Sequence, residues 1–138
     1  MRPKRRQNGV KIMKNLKSYL EEANAVVPRI SAQEGIKAHA NEDAVFVDVR
    51  DSNSLRQTGT IAGALHIPRG MIELCADPDT QFYKDALTKD APIYLVCGGG
   101  VMAAMAGKTL QEMGYTNVTN VGGIAEWKEA GGPSEEVS

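Results

Sequence analysis

The stretch Pro92-Ile-Tyr-Leu-Val96, then Cys97-Gly98-Gly99-Gly100-Val101-Met102, then Ala103-Ala-Met105-Ala106-Gly-Lys-Thr-Leu110-Gln-Glu-Met113-Gly114-Tyr115 decides the fold. Its first part is a short continuous apolar run, the pattern of a strand buried on both faces of a parallel sheet. Its last part is helical. Met102, Met105, Ala106, Leu110 and Met113 recur at spacings of three or four and are expected to share one face. Gly114 stands where a helix C-cap residue belongs. A glycine-rich turn joins strand to helix, and a cysteine opens it.

A turn between a strand's carboxyl end and a helix's amino end collects backbone N–H groups that lack a helical partner. Glycines let those amides converge on one point. An anion there is stabilised, and if that anion is the sulfur of Cys97, the thiolate becomes available as a nucleophile. The alternative for Cys97 is a small buried hydrophobe. An ordinary phosphate-binding turn is a third use of the glycines, but the turn lacks the Lys-Ser/Thr ending of a P-loop and the spacing of the dinucleotide fingerprint.

Working outward, Ala44-Val-Phe-Val-Asp48-Val-Arg50 reads as a second buried strand, with Asp48 and Arg50 near its carboxyl end. Ligands of open α/β sheets bind at that end. Asp48 and Arg50 are therefore read as loop-bracing or pocket-rim residues. Gly59 to Gly70 reads as a turn, a short strand with His66 in it, and a second turn, with Arg69 as a cation for the pocket rim. A helical turn from Met71 to Ala76 carries Cys75, and a polar surface connection follows. Cys75 is read as an inert buried thiol, with a transient disulfide to Cys97 as the alternative. Asn117 to Val121 reads as a last strand, Gly122-Gly123 as a turn, and Ile124 to Ala130 as a short helix with Trp127 as a core staple.

Towards the N-terminus, Ile12, Leu16, Tyr19, Leu20 and Ala23 mark a helix from about Lys11 to Ala25. Ser31-Ala-Gln-Glu34 has the form of a capping box opening a second helix, with His39 near its end in a surface or dipole-related role. Met1 to Gln7 is basic and is read as a solvated terminus. The division expected is a basic N-terminal extension and helix over residues 1–27, an α/β domain over 28–133 and a disordered tail over 134–138.

The chain's 138 residues suffice for one core, and its net charge of −1 makes no case for nucleic acid. No apolar run is long enough to span a membrane. Two cysteines form no disulfide framework, which favours a reducing, cytoplasmic setting.

Together these pieces resemble the rhodanese sulfurtransferases of the single-domain kind. The resemblance covers Pro28 to Pro133. It is carried by Val47-Asp48-Val49-Arg50, by Gly59-x-Ile61-x-Gly63-Ala64-x-x-Ile67-Pro68, by Cys97 with Gly100 three residues on, by Met113-Gly114-Tyr115, and by Gly122-Gly123-x-x-x-Trp127-x-x-x-Gly131-x-Pro133. It implies an α/β, three-layer domain with a central five-stranded, mostly parallel sheet and helices on both faces. It also implies a sulfurtransferase that carries a sulfane sulfur as a Cys97 persulfide. The backbone amides of Gly98, Gly99, Gly100, Val101, Met102 and Ala103 would bind the substrate. The implied partners are a small donor (thiosulfate, mercaptopyruvate or a persulfide), a thiol or cyanide acceptor, and a possible protein donor or acceptor. No metal, organic cofactor, nucleic acid or membrane is expected.

One position departs from the pattern. Many single-domain relatives close the loop with Arg five residues after Cys, and here that residue is Met102. The loop also resembles the Cys-Gly-Ser/Thr-Gly-Val-Thr loop of mercaptopyruvate sulfurtransferases, without its hydroxyl residues. The phosphatase relatives of the fold need a longer loop ending in Arg. Weak thiosulfate activity is one expectation from Met102, and a catalytically weakened binding or regulatory module of the same fold is the alternative function.

Overall fold

The computed structural model describes residues 13–138. The basic terminus expected over Met1 to Gln7 lies outside them. The first helix, α1 (Leu16–Val26), begins later than the apolar stripe suggests. Asn15 stops it from starting earlier: its side chain accepts from the Ser18 N–H at 2.9 Å, and the Ser18 hydroxyl accepts from the Asn15 N–H at 2.8 Å. Helix α2 (Ala32–His39) opens on the capping box read from Ser31 and Glu34. Strand β1 (Val45–Asp48), helix α3 (Ser52–Thr58) and the two-residue strands β2 (Thr60–Ile61) and β3 (Leu65–His66) follow. A 3₁₀ turn at Arg69–Met71 leads to α4 (Ile72–Cys75). Then come β4 (Ile93–Cys97), α5 (Val101–Glu112), β5 (Val118–Gly123), α6 (Ile124–Glu129) and β6 (Ser134–Glu135).

The fold is α/β. Strands β3-β1-β4-β5 form one parallel sheet in that order, with Val45 opposite Ile93 and Ile93 opposite Val118. Side chains alternate across it. Val47, Leu95 and Cys97 face a core shared with α4 and α5, built from Ile72, Cys75, Ala103, Ala106, Leu110 and Tyr115. Phe46 and Val96 face the other core, with Val121, Ile124 and Trp127 beneath α2 and α6.

Several expectations are corrected. The sheet has four strands, not five. The piece from Pro28 to Ile30 joins β5 by one bridge, Arg29 to Asn120, through Asn120 N–H to Pro28 O and Ile30 N–H to Asn120 O. Pro28 has no N–H with which to extend the pairing. The tail is ordered at Ser134–Glu135, which pairs antiparallel with β2, and the Glu135 carboxylate accepts from the Gly63 N–H at 2.8 Å. A bare edge strand satisfies its backbone groups in this way. Gly122 and Gly123 lie inside β5 rather than in a turn.

The buried face of α5 is Ala103, Ala104, Ala106, Gly107 and Leu110, while Met102 is 37% exposed. Small residues let this helix lie close to both β4 and the end of α1, where a Cβ at Gly107 would press on Val27 and Leu95. His39 is half-buried, its ring 5.1 Å from Phe46 and 5.7 Å from Trp127. Its Nε2–H donates to the Ala62 carbonyl at 2.8 Å, so it belongs to the core edge rather than the surface.

Candidate active site

Cys97 ends β4, with three residues between it and the start of α5. Its Sγ accepts from the Gly100 N–H at 3.0 Å and from the Ala103 N–H at 3.3 Å. Gly100 has φ +96°, a conformation that favours glycine, and this angle turns its N–H back towards the sulfur. Of the six amides expected to line the site, these two reach Sγ. Those of Val101 and Met102 open the helix and have no carbonyl a turn behind them. The cysteine is 1% exposed, while Gly98, Gly99, Val101 and Met102 around it are exposed. The mouth of the loop therefore carries two bare glycines and two apolar side chains.

Residues distant in sequence hold the loop. Asn120, 1% exposed, donates from Nδ2 to the Gly100 carbonyl at 2.9 Å and accepts from the Gly122 N–H at 2.8 Å. Gly123 sits directly under the carbonyl of Gly98, where a Cβ would collide with it. Arg29 reaches the Gly99 carbonyl with Nη1 at 3.4 Å and pairs with Glu126 at 3.6 Å. Sequence reasoning missed all three contributions. For Asn120 a signal existed: a polar residue between the buried Val118 and Val121 of β5, two residues ahead of the paired glycines. Arg29 gave none, because only the bridge to Asn120 brings it to the loop.

Asp48 and Arg50 form a buried, bidentate pair, with Nε to Oδ1 at 3.0 Å and Nη2 to Oδ2 at 2.8 Å. Thr60 donates to Asp48, and Arg50 donates to Thr58 and to the Gly59 carbonyl. His66, in β3, contacts the Arg50 carbonyl through Nε2 at 2.7 Å. The pair thus braces the turn Thr58–Thr60, and among the described residues its side-chain bonds run there rather than to the Cys97 loop. Arg69 is a correction to the pocket-rim expectation. It bonds Glu73 and Thr109, and with Tyr19, Ala23, Met105 and Lys108 it lines an open cavity of about 370 Å³. Thr109 lies eight residues along α5 from Val101, roughly 12 Å at the helical rise. The backbone of Arg69 stays at the carboxyl end of β1, its N–H donating to the Val49 carbonyl at 2.9 Å, while its side chain runs to Glu73 and Thr109.

Cys75 is free, as is Cys97, and both are buried. Among the described residues, no group of three or more His, Cys, Asp or Glu side chains could hold a metal ion. None of the described helices is long and apolar enough to cross a membrane.

Comparison with known proteins gives a consistent picture. A family model described as Rhodanese-like domain matches residues 31–130. The thiosulfate sulfurtransferase GlpE of Pseudomonas putida is 30% identical, over 72% of this chain and 84% of its own length. A Rhodopseudomonas palustris protein of unknown function, described as a possible tyrosine phosphatase, superimposes with a TM-score of 0.84. It is 34% identical, over 91% of this chain and 97% of that one. The polysulfide-sulfur transferase of Wolinella succinogenes has a TM-score of 0.70 and 31% identity over 88% of both chains. Against three other curated relatives the chain spans only 19% to 60% of their length.

Proposed function

Since the chain belongs to the rhodanese-like domain family, we propose that it is a sulfurtransferase that carries a sulfane sulfur on Cys97. One observation carries the reading: the sulfur stands at the end of a parallel strand with the N–H groups of Gly100 and Ala103 at 3.0 and 3.3 Å. Amides aimed at a position of negative charge stabilise that charge without reorganising during reaction.

The Cys97 thiolate attacks the outer sulfur of a donor. With thiosulfate, the sulfur–sulfur bond breaks and sulfite leaves with the electron pair, so the sulfur stays as a persulfide anion. The amides of Val101 and Met102, at the first turn of α5, would receive that anion. An acceptor then attacks the outer sulfur, and Cys97 departs as thiolate with its electron pair restored. Cyanide becomes thiocyanate and a thiolate becomes a persulfide. Donor and acceptor use one site in turn, so ping-pong kinetics follow.

Met102 stands where many relatives supply a cation, and the exposed mouth residues are Gly98, Gly99, Val101 and Met102. The Arg29 guanidinium beside the loop is already engaged by the Gly99 carbonyl and by Glu126, so a dianion gains little there. A neutral or monoanionic persulfide, on a small molecule or on a protein, fits that mouth better than thiosulfate. The binding or regulatory module is a second reading, favoured by the burial of Cys97.

Intact mass separates the two. The protein is incubated with thiosulfate, with mercaptopyruvate or with a small persulfide, and then with a reductant. A gain of one sulfur that the reductant removes, and that Cys97→Ser abolishes, is the expected outcome. No gain from any donor would favour the binding module.

A further inference from the structure

We propose that Arg29 is the positioning residue that keeps the Gly99–Gly100 peptide turned with its N–H on the sulfur, a role that rests on Cys97 being the reactive group. The two ends of that peptide unit carry the argument. Its N–H donates to Cys97 Sγ at 3.0 Å, and its carbonyl, that of Gly99, accepts from Arg29 Nη1 at 3.4 Å. A peptide unit is planar, with N–H and C=O pointing in opposite directions. Holding one end fixes the other.

The unit needs holding. Glycines flank it on both sides, and a Cβ built at Gly98 or Gly99 would meet nothing within 4 Å. Neither side-chain sterics nor packing at those two positions opposes a flip. A flipped unit would aim carbonyl lone pairs at the sulfur and repel a thiolate. The amide of Ala103 would remain, since α5 fixes it, but one of the two donors to Sγ would be lost.

The guanidinium has a prepared seat. A Cβ at Gly100 would collide with it, and one at Gly122 would come within 2.9 Å of Nη2. The absence of both side chains makes room for a planar group lying across the loop and the end of β5. The Glu126 carboxylate holds it from the first turn of α6 at 3.6 Å. As an ion pair, Arg29 and Glu126 are half-exposed and contribute little. Their placement matters through the carbonyl that the guanidinium reaches. The charge also enters the site through the peptide: a cation on the carbonyl polarises the N–H that faces the sulfur.

The test uses Arg29→Met and Arg29→Lys in the full chain. Alkylation of Cys97 by iodoacetamide is followed against pH by peptide mass, which separates it from Cys75. In R29M the profile moves to higher pH with the same alkaline plateau, and alkylation at neutral pH slows about tenfold, the scale of one lost hydrogen bond to a charged group. R29K recovers part of the rate, because an ammonium reaches the carbonyl but cannot hold Glu126 in a planar fork. Hydrogen exchange gives a second readout. The Gly100 amide exchanges slowly in the wild type and quickly in R29M, while amides pairing β4 with β5 stay protected, as a general loss of folding would not allow. A profile in R29M that superimposes on the wild type overturns the proposal. Alkylation needs no sulfur donor, so the two readings fail separately. A displaced profile in a protein that takes up no sulfur would leave the positioning role standing and remove the carrier function.

Discussion

Asn120 is where the sheet grips the candidate active loop, and its removal tests that connection. In Asn120→Ala, the buried N–H of Gly122 loses its acceptor at 2.8 Å, and the Gly100 carbonyl loses the amide donor at 2.9 Å. The two losses are unequal. Gly100 O still accepts from the Ala104 N–H at 3.0 Å, so its share is about 1 kcal/mol. Gly122 N–H is left unsatisfied in the interior, which costs about 1–3 kcal/mol. The sum is about 2–4 kcal/mol, a sizeable part of the roughly 5–15 kcal/mol that holds a domain together. Urea unfolding followed by the fluorescence of the buried Trp127 should show a midpoint lower by about 1–2 M. Below the transition, Cys97 should alkylate more slowly, because the loop that presents Gly100 N–H has lost its anchor.

Asn120→Asp sharpens the test. Its carboxylate keeps the bond from Gly122 but sets a second acceptor against the Gly100 carbonyl. Burial and that carbonyl raise the new carboxyl's pKa in the folded state. Its neutral form can donate to Gly100 O, so stability is present at low pH and is lost as pH rises through the raised value. N120D should therefore gain stability relative to the wild type as pH falls from 8 towards 5. A variant N120A within about 0.5 kcal/mol of the wild type, with unchanged alkylation, would refute the reasoning, since that is the scatter of an ordinary surface change.

The remaining predictions follow from other contacts. Asp48→Ala strands the buried Arg50 guanidinium and should cost about 3–5 kcal/mol in urea unfolding, whereas Asp48→Leu with Arg50→Met should cost less than the sum of the single changes. Cys97 alkylation in the folded D48A protein should match the wild type, because the pair braces Thr58–Thr60 instead of the loop; a slowed rate would contradict that placement. Burial pushes the Tyr115 hydroxyl up to about 12, with Tyr83 and Asp77 adding to it. The unfolded value is about 10, so this contribution is whole below pH 10 and is lost as pH rises towards 12. Tyr115→Phe should be less stable at neutral pH, having lost the bonds to the Ala76 and Leu87 carbonyls, and should lack this alkaline decline in a pH series of urea melts. Met102→Arg should raise turnover with thiosulfate by restoring a cation at the mouth; unchanged steady-state rates in the folded variant would show that loop charge is not limiting.

Local signals along the chain set the frame. The apolar run at Ile93–Cys97, the helical spacing after it and the Ser31–Glu34 capping box are local signals, and periodicity and capping act over a few residues. They were sufficient to place Cys97 at a strand end ahead of a helix. They also located Asp48 and Arg50 at the neighbouring strand's carboxyl end.

Local pattern misled where packing chose between equals. The methionines of α5 have the right spacing for a core face. The helix instead buries its alanines and Gly107, because close approach to the sheet and to Val27 rewards small side chains there. Arg69 follows a short strand, but its bonds run to Glu73 and to Thr109, two turns along α5 from the loop. Ser134–Glu135 reads as a polar tail, and it is held because β2 offers an edge to pair with.

How the loop is held depends on contacts made across the fold. Arg29 lies 70 residues from the carbonyl it reaches, and Asn120 lies 20 residues from its own. Both arrive through the sheet register, in which Arg29 bridges Asn120 and Gly123 pairs with Cys97. The nucleophile candidate is a matter of residue type and turn chemistry, which one segment can encode. The direction of a peptide between two glycines is not encoded there, because glycine places almost no restriction on its own backbone. That direction depends on hydrogen-bond partners that folding brings from elsewhere in the chain.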